Sequence, residues 1–218
     1  MISEFQKRIL SSIVLVPVVF FSILKGSYFF DLLILICIVF SFYEWFFMSR
    51  RKPFFIWGYI FLIFSFFSVY QIRNNFSDDG IFYILLVTLV CISTDLGGYI
   101  FGKLFKGPKL TKISPNKTYS GVIGSFVLSI LISILFVNFI SNFRINYITI
   151  GINNLLIFVF LVSMVSQIGD IIISYFKRIS NIKDTGKLIP GHGGILDRID
   201  GMLFAFPFSY VFFYFKII

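Results

Sequence analysis

Three carboxylates stand where acids are costly or crowded. Asp170 lies inside the apolar run LLIFVFLVSMVSQIGDIIISYFKR, and Asp197 and Asp200 sit three apart in LDRID. A charged side chain in a membrane-length apolar segment costs at least about 2.5 kcal/mol, so it marks a pathway or a site. Helical spacing puts Ser163, Ser166, Asp170, Ser174 and Lys177 on one face, each three or four residues from the next. Such a polar stripe on an apolar helix faces the interior of a bundle. Asp170 and Lys177 are seven apart, too far for direct pairing along the helix. Asp197 and Asp200 would be neighbours on a helix, where they repel and where burial raises the cost. A bound hard cation such as Mg²⁺ removes that cost and suits a carboxylate-only donor set. A solvated pair balanced by Arg198 removes it too, and spacing alone leaves both open.

The segment between these acids is suited to phosphate. Lys177, Arg178, Lys183, Lys187 and Arg198 supply cations, and Asp184 could orient them. Gly186, Gly191, Gly193 and Gly194 let backbone N–H groups approach a ligand closely. His192, the only histidine, lies in that turn, where it either hydrogen-bonds a phosphate or holds the turn. A second polar patch reads STDLGGYIFGKLFK followed by GPKLTKISPNKTYSG, with Asp95, Gly98 and Gly102 at helical spacing. The glycines allow close helix packing. The lysines of this patch, Lys117 among them, serve either topology or phosphate binding. Glu44 lies within two turns of the basic loop 49–53, and pairing with Arg50 or Lys52 is its simplest reading.

These residues must be held by membrane helices. Of 218 residues, 58% are hydrophobic and 13% charged, and the mean hydropathy is +0.94. A soluble domain is roughly 45–50% apolar and about 25% charged. A spanning helix needs about 20 apolar residues. Seven candidates follow: 9–24, 28–48, 54–71, 81–103, 119–141, 152–176 and 200–216. The fold class is therefore all-α, a polytopic transmembrane bundle forming one domain over 1–218. Residues 1–80 form N-terminal spans, and 81–218 hold the site with loops 104–118 and 177–199. The N-terminus reads as a retained first span rather than a cleaved signal.

With the N-terminus in the cytoplasm, fifteen of the 19 basic residues fall inside and Lys25, Arg73, Arg144 and Lys216 outside. That asymmetry places both long loops in the cytosol. The net charge of +9 is thus a matter of topology rather than nucleic-acid binding. Cys37 and Cys91 read as packing residues. Phe, 32 residues in all, reads as lipid-facing bulk, and Tyr43, Trp45 and Trp57 as interfacial anchors.

The run SYFKRISNIKDTGKLIPGHGGILDRID, from Ser174 to Asp200, resembles the signature of the phosphatidate cytidylyltransferases, also called CDP-diacylglycerol synthases. Gly169-Asp170 before it is also similar. Upstream, the family's usual Asp-Thr-Gly-Ala-Tyr is matched by Asp95-Leu-Gly-Gly-Tyr99. Its Ser-Pro-x-Lys-Thr-Trp-Glu-Gly is matched by Ser114-Pro-Asn-Lys-Thr-Tyr-Ser-Gly121, with Ser120 in place of Glu. The resemblance covers roughly residues 90–205; the N-terminal spans are similar only in hydropathy.

What the resemblance implies is transfer of CMP from CTP to phosphatidate, giving CDP-diacylglycerol and pyrophosphate. It implies Mg²⁺ on Asp170 and Asp197, with Asp200 in the same centre and a second, monovalent cation such as K⁺. With those aspartates, Asp170, Asp197 and Asp200, the expected catalytic set adds Lys177, Arg178, Lys183 and Arg198 on the phosphates and Asp184 to orient them. Asp95, Lys117, Ser174, His192, Gly193 and Gly194 are the implied substrate contacts. The implied setting is the inner (plasma) membrane with the site facing the cytoplasm, and a homodimer is compatible with it. Two other readings compete. One is a different lipid-phosphate enzyme, such as a polyprenol kinase. The other is an ion-coupled transporter, which an inverted repeat would favour, and no such repeat is visible.

Overall fold

The computed structural model describes residues 4–75, 80–111, 114, 117–143, 151–189, 191 and 193–215. Among the described residues seven helices follow one another: α1 (Glu4–Lys25), α2 (Ser27–Ser49), α3 (Phe55–Asn75), α4 (Gly80–Phe105), α5 (Tyr119–Phe143), α6 (Ile152–Ile179) and α7 (Leu196–Tyr214). They occupy the seven expected places, and the described residues contain no β-strand longer than an isolated bridge. Helices α2 to α6 are each long and apolar enough to cross a membrane. The apolar part of α1, Ile13–Lys25, is shorter. Helix α7 carries Asp197, Arg198 and Asp200 in its first turns. Large apolar side chains such as Ile63, Leu131, Leu135 and Ile157 lie exposed around the bundle. A soluble protein rarely shows so much contiguous apolar surface, whereas lipid covers it.

Helix α4 is the central post, touching α3, α5, α6, α7 and α1. Its buried Leu86, Val87 and Val90 pack in one cluster with Phe158 and Val162 of α6 and Phe213 of α7. A second cluster, with Trp45, Leu62, Phe66, Ile173, Leu196 and Leu203, joins α2, α3, α6 and α7. Trp45 corrects the expectation of an interfacial anchor. It is 2% exposed, its indole N–H donates to the Phe55 carbonyl at 3.0 Å, and its ring lies against Gly58. Tyr43 and Trp57 are exposed, as anchors would be.

Glycine determines the closest helix contact. A Cβ on Gly97 would lie 2.5 Å from the Gly124 carbonyl oxygen, and one on Gly121 would lie 2.7 Å from that of Gly98. The backbones of α4 and α5 therefore touch, and the Ser125 hydroxyl donates to the Thr94 carbonyl at 2.7 Å. Because the obstructing atoms are backbone, Gly97→Ala should destabilise the protein by about 1–3 kcal/mol. Thermal unfolding in detergent should show a lower midpoint, while Gly151→Ala, in open space, should leave it unchanged.

Candidate active site

The C-terminal ends of α2, α4 and α6 meet the N-terminal ends of α5 and α7, and the predicted polar stripe of α6 faces this junction. Ser163 and Ser166 are buried, Asp170 and Ser174 are half-buried and Lys177 is buried. The Ser163 hydroxyl accepts from Thr94 of α4 at 2.8 Å, and the Ser174 hydroxyl donates to Asp170 at 3.3 Å. Helix α7 comes close because Gly201 lies against Ser166.

The chain leaves α6 through a Schellman-type turn. Asn181 takes a left-handed φ of 58°, and the Ile182 N–H returns to the Lys177 carbonyl at 3.0 Å. This turn aims residues 183–186 back over the bundle. The Gly-rich tract then reverses the chain again. Ile189 and Gly193 exchange backbone hydrogen bonds of 2.9 and 3.2 Å, and Gly191 and Gly193 have φ of 76° and 89°. That left-handed backbone is the conformation only glycine adopts freely. His192 lies outside the described residues.

Asp197 is where these segments converge. Its Oδ1 accepts from the Lys177 ammonium at 3.0 Å, and its Oδ2 accepts from the N–H groups of Thr185 at 2.8 Å and Gly194 at 3.0 Å. Lys177 also approaches Asp200 at 3.8 Å. Asp200 Oδ1 accepts from the Gly201 N–H at 2.9 Å. The second patch arrives from α4 and α5. A short return, with Leu110 donating to the Lys117 carbonyl at 2.8 Å, brings Lys117 onto Asp170 at 2.5 Å. Asp95 lies within electrostatic reach of Asp170, Lys117 and Arg198, and Asp200 within reach of Asp95 and Asp170. Ser120, where the resembled family has Glu, braces this return by donating to the Lys106 carbonyl.

Arg178, Lys183, Asp184 and Arg198 are exposed around this junction, and Arg178 donates to the Ile182 carbonyl at 3.2 Å. Gly193 is half-buried beside Asp197, and Gly194 is buried. One end of the bundle thus gathers Asp95, Asp170, Asp197 and Asp200 with Lys117, Lys177 and Arg198.

Two residues with no place in the expected site hold it together. Glu44 of α2 is 1% exposed. Its Oε2 accepts from the Thr185 hydroxyl and the Leu196 N–H, both at 2.8 Å, and its Oε1 accepts from the Ile195 N–H at 2.9 Å. This corrects the expected pairing with Arg50 or Lys52: the carboxylate is turned inward, onto the first amides of α7. Thr185, which no motif singled out, bonds both Glu44 and Asp197. The available signal was Ser41, three residues before Glu44 and also buried. It is the start of an inward polar stripe like that of Asp170.

A model of the cytidylyltransferase family matches residues 6–76 and 54–216. The chain belongs to that family. The phosphatidate cytidylyltransferase of Rickettsia conorii is 37% identical to this chain over 204 residues, covering 92% of the chain and 87% of that protein. The phosphatidate cytidylyltransferases of Staphylococcus saprophyticus and Staphylococcus haemolyticus are 40% and 44% identical over 144 and 130 residues, covering 66% and 59% of the chain. Those alignments span about half the length of each staphylococcal protein (52% and 48%). The family match includes both the α2–α3 hairpin, with Glu44, and the α4–α7 region, with the four aspartates.

The aspartate cluster has the donor chemistry of a metal site. The donors are carboxylate oxygens only, which suits a hard divalent cation. Among the described residues no three such groups close on one point. Lysine ammoniums sit against the acids instead, Lys177 between Asp197 and Asp200 and Lys117 on Asp170. Positive charge is thus already required at these carboxylates, and the donor set fits a cation that would share it.

Proposed function

We propose that this membrane protein transfers CMP from CTP to phosphatidate, releasing pyrophosphate and leaving CDP-diacylglycerol in the bilayer. The observation that carries this reading is the meeting of four aspartates and three basic residues at one end of a membrane bundle. Relatives named phosphatidate cytidylyltransferase support it.

A phosphate oxygen of phosphatidate attacks the α-phosphorus of CTP, and the bond from that phosphorus to the oxygen bridging the α- and β-phosphates breaks, that oxygen leaving with pyrophosphate. The nucleophile is already ionised near neutral pH, so no general base is needed. The obstacle is the approach of two polyanions, and fixed positive charge lowers it. Lys117, Lys177, Arg178, Lys183 and Arg198 supply that charge for the triphosphate and the lipid phosphate. Asp170, Asp197 and Asp200 would hold Mg²⁺, with a monovalent cation nearby; the metal would neutralise phosphate charge and align the reacting groups. Asp95 and Ser174 orient the neighbouring carboxylate and lysine groups.

The basic-residue asymmetry supports a cytosolic orientation for this end of the bundle, where CTP arrives from water and phosphatidate from the lipid. Helix α6, with 28 residues, is about 42 Å long, longer than the roughly 30 Å hydrocarbon core. That length lets its last turns reach headgroup level.

Purified protein in detergent with phosphatidate and labelled CTP tests the reading. Label should enter lipid only with a divalent metal present and should stop on chelation. Absence of transfer with every divalent metal tried, by protein that remains folded, would overturn it.

A further inference from the structure

Glu44 is a nearly fully buried carboxylate in the N-terminal half of the chain, and the reaction above uses it nowhere. All of its described hydrogen bonds go to one short stretch, Thr185 to Leu196. Its three donors are the Thr185 hydroxyl and the amides of Ile195 and Leu196, which open α7. A helix N-terminus presents unpaired N–H groups and a partial positive charge, so a carboxylate there is favoured and orients the helix. Two glycines of the same stretch also fit closely around the carboxylate. A Cβ on Gly194 would run into Glu44 Oε2, and one on Gly186 would lie 2.9 Å from Oε1. The same stretch holds Asp197, through the N–H groups of Thr185 and Gly194. Glu44 and Asp197 therefore both grip one loop, with Thr185 common to both.

We propose that Glu44 is a positioning residue for the transfer reaction. Its carboxylate fixes the Thr185–Leu196 loop and the first turn of α7, and so sets where the Asp197 carboxylate points. The inference rests on the proposed CMP transfer for its kinetic consequence but not for its structural one. Glutamine is the sharp substitution, because it keeps the shape while replacing one acceptor oxygen with an NH₂ that faces N–H donors. Aspartate keeps both acceptor oxygens on a shorter arm.

The test compares full-length wild type, Glu44→Gln and Glu44→Asp in lipid nanodiscs by steady-state kinetics and by amide hydrogen exchange. Glu44→Gln should lower kcat by about 10²-fold, the scale of a roughly 1 Å misplacement. The KM values for CTP and phosphatidate should stay near wild type, because the phosphate-binding lysines are untouched. Amides of Ile195 and Leu196 should exchange faster while those of α4 and α5 do not change, and Glu44→Asp should recover part of both losses.

Wild-type kcat in Glu44→Gln, or a loss carried by KM alone, would overturn the proposal. So would unchanged exchange at residues 185–196. Should wild type transfer nothing from CTP, the catalytic reading fails by itself and the exchange data still decide whether Glu44 holds the loop. Should Glu44→Gln not fold, Thr185→Val removes only the hydroxyl donor to Oε2. Slower turnover with faster exchange is then expected, and wild-type turnover with unchanged exchange would overturn the proposal.

Discussion

Asp197→Asn should abolish CMP transfer, lowering kcat by about 10³-fold or more, the upper range for loss of one preorganised charge-stabilising group. Asp197 is fully engaged: Lys177 on one oxygen, the Thr185 and Gly194 amides on the other. An asparagine of the same shape presents one oxygen and one NH₂. Whichever way it turns, the NH₂ meets either an ammonium or a pair of N–H donors. The negative charge that would attract a divalent cation is lost at the same time. Transfer of label from CTP to lipid measures the effect, with gel filtration to show that the variant remains folded. A loss smaller than about tenfold would mean that Asp197 shapes the loop without acting on phosphate charge.

Lys177→Met should produce the largest loss of stability, and one that a metal ion reverses. Lys177 is buried, and its ammonium lies between Asp197 and Asp200. Methionine fills the volume but leaves two adjacent carboxylates without a counter-charge. Removing one partner of a buried ion pair costs about 3–5 kcal/mol. The unfolding midpoint should therefore fall by several degrees in metal-free buffer. Added Mg²⁺ should raise the midpoint of the variant more than that of wild type, because the freed carboxylates gain a ligand. An equal shift in both proteins would mean that the cation binds elsewhere.

The parts of the site that could be read from sequence are those within one helix. The stripe from Ser163 to Lys177 follows helical periodicity, and the structure turns it inward as expected. Asp197 and Asp200 follow the same logic on α7. The pairing partners were not legible. Lys117 reaches Asp170 from the connection between α4 and α5, and Lys177 reaches Asp197 across a 20-residue separation. Hydropathy places such helices in a membrane but says nothing about which faces touch. Glu44 was misread for a related reason: a basic loop a few residues away offered a local partner, while its true partners are more than 140 residues on. Trp45, beside it, was misread because an aromatic near a span end resembles an anchor whether it faces lipid or the core. The glycines of the loop were legible because left-handed backbone narrows the choice of residue, as at Gly191 and Gly193.

The grip of Glu44 on α7 also bears on how the protein is made. The Leu196 amide it receives lies 152 residues downstream. At roughly 5–20 residues per second, α2 is synthesised about 8–30 seconds before α7 exists. Through that interval the nascent chain carries a carboxylate in an apolar span with its final partners still untranslated. An insertase or a water-filled vestibule must shelter it, or it must stay near the headgroups. Arrival of α7 then gives the carboxylate its partners, so a ribosome that stops before residue 196 would release an open intermediate. Such an intermediate would offer a membrane protease a clear mark of an unfinished chain.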